Sequence, residues 1–136
     1  MATVRKTIVT RAPAALVWDA IRDIGALHTR LVPGFVVDTQ LEPGARRVTF
    51  GNGAVVREPI VTLDDEARRL VWTSEGALTS HYNSSAEVSV AEDGTTAVLW
   101  TSDFLPDSAR PQIDALMTAG ARVMAATLDK LAPLSK

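Results

Sequence analysis

The sequence predicts an α+β domain in which a seven-stranded, curved antiparallel sheet wraps a long C-terminal helix, with two short helices after the first strand. Three observations lead there. Val4 to Arg11 alternates and is rich in β-branched residues, as a strand does. From Phe35 to Phe104 apolar residues recur with a period of two, broken only by short turn sequences. After Pro106 the period lengthens, and Ile113, Leu116, Met117, Gly120, Met124, Thr127, Leu128 and Leu131 fall on one helical face.

Each element follows in order. Pro13 opens a first helix where its missing N–H costs nothing, with Leu16, Val17, Ala20 and Ile21 at helical spacing. A second short helix, about Ile24 to Leu31, stops at Pro33-Gly34. Six strands then read as about 35–41, 45–50, 54–63, 69–75, 79–91 and 95–104. Their breaks, such as Gly51-Asn52-Gly53 and Glu92-Asp93-Gly94, are short enough for hairpins, so the strands form a meander. Asp107 or Ser108 is the expected N-cap of the last helix, and Pro111 fits its first turn. That helix should run to Leu131, about 23 residues, and span roughly 35 Å.

A chain of 136 residues is one domain, 1–136, and is long enough to bury a core without a metal or a disulfide. It has no cysteine, which excludes thiol catalysis, thiolate metal sites and iron–sulfur clusters. Fourteen Lys+Arg against 16 Asp+Glu give a net charge of −2, which argues against nucleic acid or an anionic membrane as the main partner. The N-terminus lacks the apolar stretch of a secretory signal, and no window approaches a membrane span. The expectation is a cytoplasmic protein, a monomer or weak homodimer.

The inward residues carry the functional argument. In strand 79–91 the even positions Tyr82, Ser84, Ala86, Val88 and Val90 point inward, and His81 points out. In strand 95–104 the inward set is Val98, Trp100, Ser102 and Phe104; in strand 69–75 it is Leu70, Trp72 and Ser74. Strand 54–63 is ambiguous: one face offers Val55, Arg57, Pro59, Val61 and Leu63, the other Val56, Glu58, Ile60 and Thr62. Either Arg57 or Glu58 is therefore directed at the core. The interior holds Ser74, Tyr82, Ser84, Ser102 and Thr127, and each hydroxyl buried without a partner costs roughly 1–3 kcal/mol. Either they pair with one another, or they line a wet or ligand-filled cavity. Gly120 leaves room on the inner helix face, and Met117 and Met124 adapt to a variable occupant.

The order of Ala12-Pro13-Ala14-Ala15-Leu16-Val17-Trp18, Asp64-Asp65-Glu66 before Arg68-Arg69-Leu70, His81-Tyr82-Asn83-Ser84 and Trp100-Thr101-Ser102-Asp103-Phe104-Leu105-Pro106 resembles the helix-grip superfamily. That superfamily contains START-related carriers, Bet v 1-type proteins, polyketide cyclase/dehydrase-like proteins and abscisic-acid receptors. The resemblance covers nearly the whole chain and implies a cavity between sheet and C-terminal helix that holds a small hydrophobic or amphipathic molecule, with no cofactor. Alignment with the abscisic-acid receptors sets Glu58 on a cavity glutamate, and Tyr82 and Ser84 on a cavity tyrosine and serine, which favours Glu58 as the inward side chain. Where those receptors carry a ligand-anchoring lysine this chain has about Leu31, so hormone binding is not carried over. Their gate and latch are replaced by Phe50 to Ala54 and by Gly76 to Thr79, two glycine-containing loops placed to form a cavity mouth.

The expected ligand contacts are thus Glu58, Ile60, Trp72, Ser74, Tyr82, Ser84, Trp100, Met117, Gly120, Met124 and Thr127. Glu58 and Tyr82 are the candidates for chemistry. If the chain resembles the aromatase/cyclases in activity, Glu58 moves a proton during aldol closure or dehydration, and Tyr82 donates to a carbonyl or enolate. The bland alternatives are a surface glutamate paired with an arginine and a core tyrosine bonded to backbone. Arg46-Arg47 and Arg68-Arg69 read as solvated strand ends. His28 and His81 lie in different elements and have no metal-ligand spacing, so no metal is expected. Trp18 reads as a core anchor. No phosphate loop, dinucleotide fingerprint or nucleophile elbow is present. A third possibility, an interaction protein with a vestigial cavity, would require an exposed apolar patch of more than a few hundred Å².

Overall fold

The computed structural model describes residues 1–133. β1 (Ala2–Thr10) leads into α1 (Ala14–Arg22), whose first turn closes on the Pro13 carbonyl. β2 (Val36–Glu42), β3 (Ala45–Phe50), β4 (Val55–Asp64), β5 (Arg69–Thr73), β6 (His81–Val90) and β7 (Thr96–Leu105) follow, and α2 (Arg110–Asp129) closes the described chain. The sheet order is β1-β7-β6-β5-β4-β3-β2, antiparallel throughout. β2 to β7 are a meander, and β1 adds to its far edge beside β7, in register from Ala2–Phe104 to Thr10–Thr96.

The short helix expected over Ile24 to Leu31 is present in two windings: Ile24–Ala26 as a 3₁₀ turn and Leu27–Leu31 as a π turn, closed by Val32 N–H to the Leu27 carbonyl at 3.0 Å. The last helix is shorter than expected. Residues Asp107–Ala109 form a 3₁₀ turn held by Ala109 N–H to the Pro106 carbonyl, so neither Asp107 nor Ser108 caps α2 through its side chain. The 20 residues of α2 span about 30 Å.

The ambiguity of β4 has a structural cause. Its pairing with β5 shifts register between Ile60 and Thr62, so one residue is inserted there. The insertion reverses the alternation along the strand. Before it Glu58 is buried and Val55 exposed; after it Leu63, opposite Leu70, packs against the core. Val61 at the irregularity is 59% exposed. Two apolar faces in one strand are therefore two halves of one inner face. Val90, expected inside, is 61% exposed: β5 pairs with β6 only as far as Glu87, so Val90 lies beyond that neighbour's reach.

Two apolar clusters hold the layers together. The larger joins α1, the 3₁₀ and π turns, the sheet and the C-terminal half of α2, where Met124 and Leu128 are buried. The smaller fixes the other half of α2 to the β1–β7 edge through Val4, Phe104, Ile113 and Met117. Trp18 belongs to the larger cluster and donates from Nε1 to Asp65 at 2.9 Å. Phe104 has no solvent exposure. Replacing it, Phe104→Ala, should lower the unfolding free energy by about 3–5 kcal/mol in denaturant melts, and a loss under about 1 kcal/mol would show that the small cluster does not anchor α2.

Candidate functional site

Between the concave sheet and α2 lies a cavity of about 680 Å³. Its walls are mainly apolar: Leu31, Phe35, Phe50, Leu70, Trp100 and Met124 among them. Phe35 from the segment before β2 and Phe50 at the end of β3 meet edge to face, with centroids 5.6 Å apart. At one end the lining includes Val55, Leu78 and Leu116, each at least 38% exposed, which marks the opening. The 51–54 and 76–79 segments flank it, at the two loops that the sequence sets apart. Gly51 is required there: a Cβ would stand 2.5 Å from the Gly34 carbonyl oxygen.

Six polar residues reach the lining: Asn52 and Thr79 in the two loops at the mouth, and Arg46, Glu58, Ser74 and Tyr82 deeper on the sheet. Arg46 corrects the sequence reading, which placed it at a solvated strand end. It is 2% exposed, and its Nε donates to Glu58 Oε1 at 2.8 Å. Its guanidinium carbon lies 5.2 Å from the Trp72 ring centroid, and Nη1 reaches the Ile24 carbonyl at 3.5 Å. The placement follows from local folding. The β3–β4 hairpin, turning through Gly51-Asn52-Gly53, sets Arg46 opposite Glu58. Arg46 is in phase with buried Val48 along β3, which is the alternation that could have revealed it. Arg47, its neighbour, points outward to Glu42.

Burial pushes the Glu58 carboxyl above its ordinary range, and the charge and hydrogen bond of Arg46 pull it part of the way back. A raised folded-state pKa means that this group's stabilising contribution is complete below the unfolded carboxyl value, about 4.3, and is lost as pH rises through the folded value. Glu58→Gln mimics the protonated form. Its melting temperature relative to the parent should therefore rise as pH climbs above about 4.3 and level off once the folded carboxyl has ionised; a flat difference would show that the carboxylate bears no net desolvation cost.

The hydroxyls mostly pair with one another. Ser84 donates to the Thr101 carbonyl at 3.1 Å and accepts from Trp100 Nε1 at 3.0 Å. With the Ser84 proton on that carbonyl, the 2.9 Å contact to Ser102 carries the Ser102 proton, and the 2.8 Å contact from Tyr82 to Ser102 carries the Tyr82 proton. Tyr82 then offers the cavity an acceptor, not the donor that the sequence suggests. Burial, the leading cause, raises its pKa further. Ser84 itself is fully buried behind the wall.

Of the expected contact residues, Glu58, Trp72, Ser74, Tyr82, Trp100, Met117 and Met124 line the cavity. Ile60, Ser84, Gly120 and Thr127 do not. Ile60 packs against the core next to the β4 irregularity, and the Thr127 hydroxyl bonds back to the Val123 carbonyl at 2.8 Å. Gly120 does sit on the inner helix face, but the space is filled: a Cβ there would stand 3.1 Å from Trp100 and 3.2 Å from Phe35. Gly120→Leu should consequently overpack the interior and cost roughly 1–3 kcal/mol in a denaturant melt. Unchanged stability would mean that the rings yield freely. Neither histidine joins the site: His81 is exposed and His28 contacts Thr39 at 3.1 Å.

A curved sheet that grips one helix over an apolar chamber defines a helix-grip protein. The chain belongs to the family described as polyketide cyclase / dehydrase and lipid transport, which matches residues 1–135. Among solved structures it is similar to XoxI from Bacillus cereus, with 19% identity, a TM-score of 0.82, and 96% of this chain and 98% of that one covered. A protein from Thermobifida fusca shares 29% identity at a TM-score of 0.78, covering 96% of this chain and 95% of its own. The Zhui aromatase/cyclase from Streptomyces sp. R1128 shares 17% identity at a TM-score of 0.75, covering 95% and 92%. No curated protein matches by sequence. Among the described residues no helix is long and apolar enough to cross a membrane.

Proposed function

We propose that this protein binds a small hydrophobic or amphipathic molecule in the cavity between sheet and α2. The observation that carries the reading is a chamber of about 680 Å³, within the size range of small-molecule sites, whose walls are apolar apart from a few polar groups. Membership of a family described by both cyclase and lipid-transport activities supports an organic occupant. Trp72, Trp100, Met117 and Met124 supply its apolar contacts; Ser74, Tyr82 and the Arg46–Glu58 pair supply its polar ones.

The second reading is a polyketide cyclase, aromatase or dehydratase-like enzyme, for which the family description is the support. Binding ranks first because both candidate proton carriers are engaged. The Tyr82 proton is committed to Ser102, and one Glu58 oxygen is held by Arg46.

The test uses the neutral fluorescent probe N-phenyl-1-naphthylamine. It should bind with enhanced, blue-shifted emission, and Ser74→Trp, which fills the chamber from its wall, should weaken binding at least tenfold with the melting temperature nearly unchanged. Failure of the parent protein to bind any apolar probe would reject the reading. Native mass spectrometry of protein purified from its own source should show a co-purified organic molecule.

A further inference from the structure

The Arg46–Glu58 pair leaves one hydrogen-bonding atom of each partner unused. Arg46 spends Nε on Glu58 and Nη1 on the Ile24 carbonyl; among the described residues Nη2 has no partner. Glu58 spends Oε1 on Arg46, and Oε2 has none. The two side chains are only 3% and 9% exposed, yet among the described residues no sealed side-chain nitrogen or oxygen lacks a partner. The two free atoms therefore keep contact with open space, and the open space that both residues line is the cavity. An interior wall thus presents one donor and one acceptor side by side, set among aromatic and aliphatic side chains.

We propose that this pair selects an occupant with a neutral polar head that carries an acceptor and a donor on neighbouring atoms, of the carboxamide or hydroxy-ketone type, on an apolar body. The inference rests on the ligand-binding reading above and names the chemistry of the ligand's polar end. The acceptor takes the Arg46 Nη2 proton, and the donor gives its proton to Glu58 Oε2. A charged head is disfavoured whichever its sign. A carboxylate brought to Arg46 sits beside the Glu58 carboxylate, so two anions share one cation in a site that already penalises a single carboxylate. An ammonium brought to Glu58 sits beside the guanidinium. In either case one charge is buried without compensation, which costs far more than a neutral hydrogen bond gains. A head with an acceptor alone leaves Oε2 unpaired under a desolvating ligand.

The experiment displaces N-phenyl-1-naphthylamine from the intact protein at pH 7.5 with four probes that share a ten-carbon chain: decanamide, methyl decanoate, decanoate and decylamine. Decanamide should compete at least tenfold better than each of the others. The ester is the decisive comparison, since it is more apolar than the amide and lacks only the donor. In Glu58→Gln the Arg46 charge loses its counter-charge, so the decanoate-to-decanamide affinity ratio should rise at least tenfold. The proposal is overturned if the ester matches the amide, if decanoate or decylamine equals the amide in the parent protein, or if folded Glu58→Gln leaves the ratio unchanged. The parent comparison stands even where that variant does not fold. Equal binding of all four probes overturns this inference and leaves the cavity-binding reading intact. Binding of none overturns both.

Discussion

The interior is organised around an ion pair that a hairpin forces inward. Arg46 and Glu58 face each other across the β3–β4 ladder, both almost fully buried. Two charges withdrawn from water are tolerated only where each compensates the other and remaining hydrogen-bonding atoms find partners. Here the compensation is local: a 2.8 Å bond between the partners, the Trp72 ring beneath the guanidinium, and a backbone carbonyl at its side. What the pair leaves unsatisfied opens on the chamber. The same interaction thus joins β3 to β4 beside the backbone ladder and gives the otherwise greasy chamber its one strongly polar wall.

A second polar system behaves differently. Tyr82, Ser102, Ser84 and Trp100 join β6 to β7 through side chains, beside the backbone ladder. Ser84 is saturated, with one donated and two accepted bonds, so the chain of hydroxyls has a preferred direction. Its effect is to hold the Trp100 ring, whose edge lies over Gly120 of α2. The hydroxyls that look like ligand contacts in the sequence are largely a scaffold for an aromatic wall, and only Tyr82 and Ser74 reach the lumen.

The architecture is largely legible in the sequence because most strands alternate between recognisable turns, and because the apolar face of the last helix is long and periodic. Where alternation was interrupted the reading lost its footing. The irregularity after Ile60 shows in the sequence only as a strand with two apolar faces. The Ile24–Leu31 segment has helical composition, and nothing local distinguishes 3₁₀ and π turns from an α-helix there. In the site, Glu58 emerged through resemblance, whereas Arg46 was missed because adjacent arginines usually face water. Its phase with Val48, and its place opposite Glu58 across the hairpin, were the available signals. Gly120 and Thr127 were placed on the right helix face, but which inward residues touch open space depends on ring packing between Trp100 and Phe35, which periodicity does not encode.

The position of β1 has a consequence for how the molecule comes into being. Of the seven strands described, the first to leave the ribosome, β1, docks against the last, β7, roughly a hundred residues later, whereas every other strand pairs with its sequence neighbour. During synthesis the meander can zip up progressively, but the amino-terminal ribbon stays without its partner until β7 emerges. A nascent chain stalled before that point carries an unmatched, β-branched segment with a free edge, the kind of stretch on which chaperones act and from which aggregates start.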